Sequence, residues 1–140
     1  MNTHRALRKQ RKSANNRIGV AVAELAVCLP VLAFLFFATV ETCRMLQLKQ
    51  NVTMTAYEGA RIGIVPGVSA SIVQSQCTML LDDRDIRNYQ ITLNPSDPST
   101  LEIGDNFSVT VSVPFADNSL FGNAAFTNTT VTDTIVMRAE

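Results

Sequence analysis

An apolar run of 21 residues near the beginning of the chain most constrains what this sequence can fold into. Between Val20 and Val40 the run contains one charged residue, Glu24, and nearly all its other side chains are apolar. About 20 such residues in a helix cross the ~30 Å hydrocarbon layer of a membrane. We therefore predict a transmembrane helix over residues 20–40, interrupted and slightly kinked at Pro30. The alternative is a helix buried in a protein core, although core helices are usually shorter and less continuous.

The charges around this run are divided unevenly. Residues 1–19 carry six basic side chains and no acid, whereas residues 20–140 carry six basic and twelve acidic side chains, a net charge of −6. By the positive-inside rule, the basic tail stays in the cytoplasm and the residues after the run lie outside it. The tail could instead bind nucleic acid, but it is short and has no aromatic residue, so we expect no nucleic-acid partner.

Ordinary secretion with removal of a signal peptide is a further alternative. The basic start fits such a signal, but the apolar run is longer than the usual stretch of about 7–15 residues. The sequence that follows the run, FFATVETC, also has no clear small-x-small cleavage site. Retention of the apolar helix as an anchor is therefore the favoured interpretation.

Glu24 is unusual because a carboxylate in a membrane helix costs free energy, about 2.5–3.5 kcal/mol at the helix centre and less toward an end. Acids in such positions usually have a partner. The simpler alternative is that Glu24 lies close enough to the membrane surface to reach water.

Gly19 stands at the junction between the basic tail and the apolar run, and Glu24 is the fifth residue after it. This arrangement resembles the class III signal of type IV prepilins and pseudopilins. The resemblance implies that a prepilin peptidase cleaves between Gly19 and Val20 on the cytoplasmic side. The carboxylate of Glu24 would then pair with the new amine of Val20 in a neighbouring subunit, a strong interaction where the dielectric constant is low.

Further motifs follow in order along the next part of the chain. Leu-Pro occurs at Leu29–Pro30, an acid and a base follow at Glu41 and Arg44, and a closing block AYEGAR spans residues 56–61. Together with the Glu24 block, these motifs resemble the TadE-like family of tight-adherence (Tad/Flp) pilus systems over about a third of the chain. Leu25 replaces a frequent aromatic residue, and Thr42–Cys43 replace a frequent Phe-Gly.

This resemblance implies a pilin-like minor subunit in the bacterial inner (cytoplasmic) membrane. Its implied partners are the membrane, the prepilin peptidase, other pilin-like subunits and the Tad inner-membrane machinery. The alternative is an unprocessed single-pass anchor whose outer domain binds a ligand or partner.

The charged motif residues also have a local interpretation. Glu41 and Arg44 are three residues apart on a predicted helix, as are Glu58 and Arg61, and such pairs stabilise a helix by about 0.2–0.5 kcal/mol. Gly59 costs about 1 kcal/mol in a helix interior. We therefore expect either close helix packing at Gly59 or an approaching helix end.

We divide the chain into a basic cytoplasmic leader (1–19), the transmembrane helix (20–40), a helix extension (41–65) and an extracytoplasmic α+β domain (66–140). An apolar stripe at three- and four-residue steps runs along the extension, and Pro66–Gly67 end it. A second helix is predicted over residues 68–82, capped by Ser69 or Ser71. The stripe comprises Met45, Leu48, Val52, Ala56 and Gly59 or Ala60, and the second helix has an apolar face of Ile72, Val73, Cys77, Leu80 and Leu81.

Three strands are predicted after the second helix. Apolar and polar residues alternate around residues 89–93 and strictly over 107–115, and a last strand is predicted over about 130–138. Strict alternation indicates an antiparallel sheet with one buried face. Polar loops are predicted at residues 94–100 and 116–128. The predicted fold class is α+β and pilin-like: a long N-terminal transmembrane and stalk helix, a second helix and a small three-stranded antiparallel sheet.

We find no catalytic motif and expect no enzyme, metal or cofactor. The one histidine, His4, lies in the leader, so the mature chain would lack a Ser-His or Cys-His pair. Calcium binding at the acidic cluster of Asp82, Asp83 and Asp85 is an alternative to a solvated helix end. The three cysteines are expected to be apolar filler, with a disulfide between chains as the alternative; they are Cys28, Cys43 and Cys77.

Overall fold

The computed structural model of the chain describes residues 3–121 and 129–139, with side chains from residue 19 onward. The chain divides into two compact units, Met1–Val40 and Glu41–Glu140. The elements are α1 (Thr3–Gly63), α2 (Ala70–Asp82), β1 (Gln90–Asn94), the 3-10 turn η1 (Pro98–Thr100), β2 (Asn106–Pro114), the 3-10 turn η2 (Phe115–Asn118) and β3 (Thr130–Arg138). The predicted α+β arrangement is confirmed.

Helix α1 passes through Pro30 without a break. The helix therefore continues across the proline, and the slight kink predicted there stays a prediction. A proline removes one backbone hydrogen bond and crowds the preceding turn, but the turns on either side retain their own bonds. In a membrane environment the remaining cost is tolerated more readily than in water.

The stripe predicted along the part of α1 that follows Val40 is confirmed. We call this part, residues 41–63, the outer part of α1. The buried members of the stripe recur at four-residue steps, and Lys49 and Gln50 are exposed on the other side. Thr55, which the stripe did not include, is also fully buried. The helix ends at Gly63, two residues before the predicted end of the extension, and Gly67 turns the chain with φ of 81°. The buried apolar residues of this stripe are Leu48, Val52, Ala56 and Ala60.

Helix α2 begins directly after Ser69, one of the two predicted caps. The Ser69 hydroxyl lies 2.9 Å from the Ser71 hydroxyl and makes no capping bond. One narrow stripe of α2 is buried, consisting of residues four apart: Val73, Cys77 and Leu81. The prediction that Ile72 shares this face is wrong, because its side chain is 54% exposed. One residue along a helix corresponds to about 100° of rotation, which takes Ile72 off the stripe.

The three strands form one antiparallel sheet in the order β1-β2-β3. Strand β3 has the predicted bounds, and every second residue of β2, from Phe107 to Val113, is buried. The opposite face is lined by hydroxyl groups, with Thr110 and Thr134 joined across β2 and β3 at 2.8 Å. The predicted sheet with one buried face is confirmed.

Strand β2 runs antiparallel to the outer part of α1. Close packing joins Gly63, at the end of the helix, to Phe107, near the beginning of the strand. At the other end, the Arg44 side chain reaches Asn118, just beyond β2. The predicted loop 94–100 contains η1, and the loop 116–128 begins with η2. Residues 122–128 of that loop lie outside the described residues.

Candidate functional site

One helical stretch in the described part of the chain, Gly19–Gly63, is long and apolar enough to cross a membrane. Its most apolar window has a mean hydropathy of 2.5, and none of that window is buried within the protein. A core helix would be covered by other parts of its own fold. This exposure therefore favours a membrane anchor over the core-helix alternative.

The predicted junction residues lie on this exposed stretch of α1. Val20 is 59% exposed, Glu24 is exposed, and a side chain built at Gly19 would meet nothing within 4 Å. Within residues 19–121 and 129–139, no ion pair or hydrogen bond engages the Glu24 carboxylate. The six basic side chains of the leader lie outside the described residues.

Glu41 and Arg44 do not form the local ion pair expected from their spacing. Instead, the backbone N–H of Leu120 donates to Glu41 Oε2 at 3.4 Å, and Arg44 Nε donates to the carbonyl of Asn118 at 3.3 Å. The two motif residues thus hold one loop, at sequence separations of 79 and 74 residues. A contact so distant in sequence leaves no local pattern from which it could be predicted.

Asn118 organises this loop from the inside. Its side chain is nearly fully buried; Oδ1 accepts from the N–H of Arg87 at 2.8 Å, and Nδ2 donates to the carbonyls of Arg87 and Pro114 at 3.0 Å each. Three hydrogen bonds satisfy most of the capacity of an amide group. No sequence pattern predicts this role, because an asparagine in a polar loop is common. We name the segment Asn118–Phe121, with its bonds to Glu41 and Arg44, the tethered loop.

Glu58 and Arg61 do form the expected local pair, with 3.8 Å between Arg61 Nη1 and Glu58 Oε2. The Arg61 side chain is 67% exposed, so solvent screens the pair and its contribution to stability is small. Within the described part of the chain, neither residue shares a contact with Glu41 or Arg44.

Gly59 is required by packing and not by a helix end. A Cβ at this position would lie 2.5 Å from Cys77 Sγ and 3.3 Å from Val109 Cγ1, and α1 continues to Gly63. The sequence motifs do not predict the packing role of Gly63, where a Cβ would lie even closer to the Phe107 ring. The four-residue spacing of the two glycines was a usable signal, because residues four apart share a helix face.

Cys77 is fully buried beneath Gly59, as expected for a small apolar filler. Burial raises the pKa of its thiol from 9.0 to about 11. Its Sγ lies 3.8 Å from the carbonyl of Thr55, a weak contact. Cys28 and Cys43 are exposed and have no disulfide within the chain, so a bond between chains stays a prediction.

The acidic cluster after α2 has a structural use. The Tyr89 hydroxyl donates to Asp82 Oδ1 at 2.7 Å, and this hydrogen bond raises the pKa of Tyr89. No group of three or more histidine, cysteine, aspartate or glutamate residues is placed to hold a metal ion in the part of the chain that the structure describes.

The comparisons with known proteins address the N-terminal part of the chain. The family model for TadE-like proteins matches residues 19–61. This segment is similar to TadE-like proteins. The resemblance predicted from the sequence motifs is thereby confirmed, and the matched range begins at Gly19 and ends at Arg61.

All the predicted motif residues fall inside the TadE-like segment, whereas α2 and the sheet lie beyond it. The match supports involvement of the chain in Tad pilus systems as a membrane-associated component. No curated protein and no solved structure gives a significant match.

Proposed function

We propose that this protein is a pilin-like subunit of a Tad/Flp-type pilus or secretion apparatus, processed by a prepilin peptidase. The observation that carries the proposal is the TadE-like match, which begins at the glycine of the basic-to-apolar junction. The exposed apolar part of α1 supports a single-pass anchor in the bacterial inner membrane. The basic leader favours a cytoplasmic N-terminus and an extracytoplasmic outer unit.

Cleavage between Gly19 and Val20 would remove all six basic side chains of the leader. Those charges hold the helix end at the cytoplasmic surface by attraction to anionic lipids, about 1 kcal/mol for each residue near the surface. Removing them frees the helix to leave the membrane surface during assembly. Glycine suits the cleavage site because it lets the backbone lie extended in a protease without a side chain.

The second step of the proposal concerns Glu24. After cleavage, Val20 carries a free amine, and the exposed carboxylate of Glu24 has no partner within the described part of its own chain. An amine and a carboxylate brought together in a low-dielectric environment attract strongly. We expect Glu24 of one subunit to pair with Val20 of the next and so to fix the stagger between neighbouring helices.

The cleavage step is tested by placing a β-branched side chain at the junction. Gly19→Val should abolish processing in cells, and Ile18→Val, one residue earlier, is the matched control that should be processed as the wild type is. The readout is the N-terminal peptide of the protein extracted from membranes. Normal cleavage of Gly19→Val would overturn this step.

The pairing step is tested with Glu24→Gln, which keeps the size of the side chain and removes its charge. We expect this variant to reach the membrane but to fail in assembly with other pilin-like subunits. Glu58→Gln is the control, because that acid has a local partner, Arg61, on the outer surface. Assembly of the Glu24→Gln variant at the wild-type level would contradict the proposed pair.

The proposed role is structural and not catalytic, with other pilin-like subunits and the Tad inner-membrane machinery as partners. The competing proposal is an unprocessed anchor whose outer unit binds a partner. It predicts that the leader remains on the protein and that Gly19→Val has no effect on activity in cells.

A further inference from the structure

Two consecutive large apolar side chains are exposed on the tethered loop. Leu120 is 59% exposed and Phe121 is 51% exposed, directly after the buried Asn118 and the half-buried Ser119. A loop of a water-soluble surface normally carries polar residues, and an adjacent apolar pair indicates a contact with another apolar body.

The position of this pair along the chain identifies the apolar body. The N–H of Leu120 donates to Glu41, and Glu41 directly follows the last residue of the apolar run, Val40. Arg44 holds the carbonyl of Asn118 less than one helical turn further on. The tethered loop is therefore attached to the residues at which a membrane-spanning helix emerges from the hydrocarbon layer.

Exposure alone would not distinguish this loop, because Ile103 is 87% exposed. Ile103, however, lies at the opposite end of the outer unit. It adjoins Gly104 and precedes β2 by three residues, and Phe107 packs against Gly63. Gly63 is 22 residues beyond Glu41 on the same helix, which is about 33 Å at ~1.5 Å per residue.

We propose that Leu120 and Phe121 insert into the outer surface of the membrane that α1 spans, as a second lipid contact of this chain. Leucine and phenylalanine are typical of segments that enter the boundary between headgroups and acyl chains, at a depth of about 5–10 Å. Glu41 and Arg44 act as positioning residues that hold the loop at this level. The inference rests on the membrane anchor of the proposed function and not on cleavage at Gly19.

The test places a fluorescent label at single cysteines in the full-length protein. Cys28→Ala and Cys43→Ser remove the two exposed thiols, and the buried Cys77 is left in place because its thiol is covered. An environment-sensitive dye is attached at Leu120→Cys, at Phe121→Cys or, as the control, at Ile103→Cys. The protein is reconstituted into vesicles of phosphatidylethanolamine and phosphatidylglycerol that contain lipids with a nitroxide on the acyl chain.

We expect blue-shifted emission at positions 120 and 121, and a large loss of fluorescence when the nitroxide is near the top of the acyl chain. A nitroxide near the chain end should quench less, because the loop enters only the interface. The label at position 103 should emit as in water and respond to aqueous iodide but not to lipid nitroxides. Equal behaviour of the three labels would overturn the proposal.

The positioning role is tested by adding Arg44→Ala to the Leu120→Cys protein. Loss of the bond to Asn118 should reduce lipid quenching and increase iodide quenching at position 120. Arg61→Ala is the matched control, since its guanidinium lies on the same helix and pairs with Glu58 instead of with the loop. An unchanged label in Arg44→Ala would contradict the role of Arg44.

A second copy of the chain is the alternative occupant of this surface. In that case the label at 120 would be shielded from iodide but insensitive to lipid nitroxides, and the shielding would weaken as the protein is diluted in the vesicles. That result would overturn the lipid contact. N-terminal sequencing of the same samples reports cleavage separately, so failure here is distinguishable from failure of the proposed processing.

Discussion

At the scale of single residues, the buried side chain of Thr55 in the outer unit, Glu41–Glu140, does not fit its surroundings. Thr55 is fully buried, and its hydroxyl has no hydrogen-bond partner within the part of the chain that the structure describes. Burying an unsatisfied hydroxyl costs about 1–3 kcal/mol. The neighbouring Thr53 is different, because its hydroxyl bonds both to the carbonyl of Lys49 and to the carboxylate of Asp133.

We predict that Thr55→Val raises the free energy of unfolding of the outer unit by about 1 kcal/mol, since valine has the same shape without the hydroxyl. The two residues have similar helix propensities, so the helix itself should change little. The measurement is urea unfolding of the full-length protein in detergent, followed by hydrogen exchange in α2 and the sheet. Thr53→Val is the control and should lower stability. A loss of stability in Thr55→Val as large as that in Thr53→Val would show that the buried hydroxyl has a partner.

Cys77 makes the stability of the outer unit depend on pH. Burial raises the pKa of its thiol to about 11, compared with 9.0 for an ordinary thiol. Between these values the unfolded chain loses a proton that the folded chain keeps, so the contribution of this thiol to stability is constant below about pH 9 and is lost as the pH rises toward 11. The full effect of a shift of about two units is roughly 2–3 kcal/mol.

We therefore predict that wild-type protein exceeds Cys77→Ala in stability at pH 8 and that this difference shrinks by pH 11. The two proteins are otherwise identical, so the contributions of all other groups cancel in the difference. Unfolding in urea at a series of pH values gives the comparison. A difference that stays constant from pH 8 to pH 11 would be inconsistent with a buried neutral thiol.

At the scale of elements, the contact of α1 with α2 and β2 depends on two glycines. A Cβ at Gly59 would press on Cys77 and Val109, and one at Gly63 would press on the buried Phe107 ring. Added volume in a packed core costs about 1–3 kcal/mol. In an unpacked helix, by contrast, exchange of glycine for alanine gains about 1 kcal/mol.

Packing and helix propensity therefore predict opposite changes in the free energy of unfolding when Gly59 is replaced by alanine. We predict that Gly59→Ala lowers stability by about 1–3 kcal/mol and that Cys77→Ala in the same chain partly restores it by making room for the new methyl group. Gly63→Ala should be at least as damaging, because an aromatic ring cannot move aside as a thiol does. Urea unfolding of the three proteins provides the test, and an increase in stability of Gly59→Ala would disprove the packing role.

The same elements show how much of the fold can be predicted from sequence. The buried face of β2 follows from alternation alone, since the pleat fixes which residues share a face. The stripe on α1 follows from the helix period in the same way. Ile72 was misplaced because apolar character does not show on which side of a short helix the core lies.

The candidate site was predictable only where its residues are local in sequence. Gly19, Glu24 and the motif order needed no folded structure to be recognised. The tethered loop was not predictable, because Glu41 and Arg44 meet residues more than seventy positions away. Their three-residue spacing suggested an ion pair with each other, and the fold supplied backbone partners instead.

At the scale of the whole molecule, the two units have different surroundings. The outer unit has its own core, formed by α1, α2 and one face of the sheet. The apolar stretch of the first unit has no such cover within the protein. Lipid, or the helices of neighbouring subunits, would provide that cover, and both fit a membrane-associated component of a Tad pilus system.

The central claim is that the basic leader is removed and that the mature chain begins at Val20. The most direct test is to identify the N-terminal residue of the protein extracted from bacterial membranes, by intact mass and peptide sequencing. We predict a chain that begins at Val20, with its free amine available to Glu24 of a neighbour. A protein that retains Arg17, Ile18 and Gly19 would contradict the claim and would identify the chain as a permanent anchor for its outer unit.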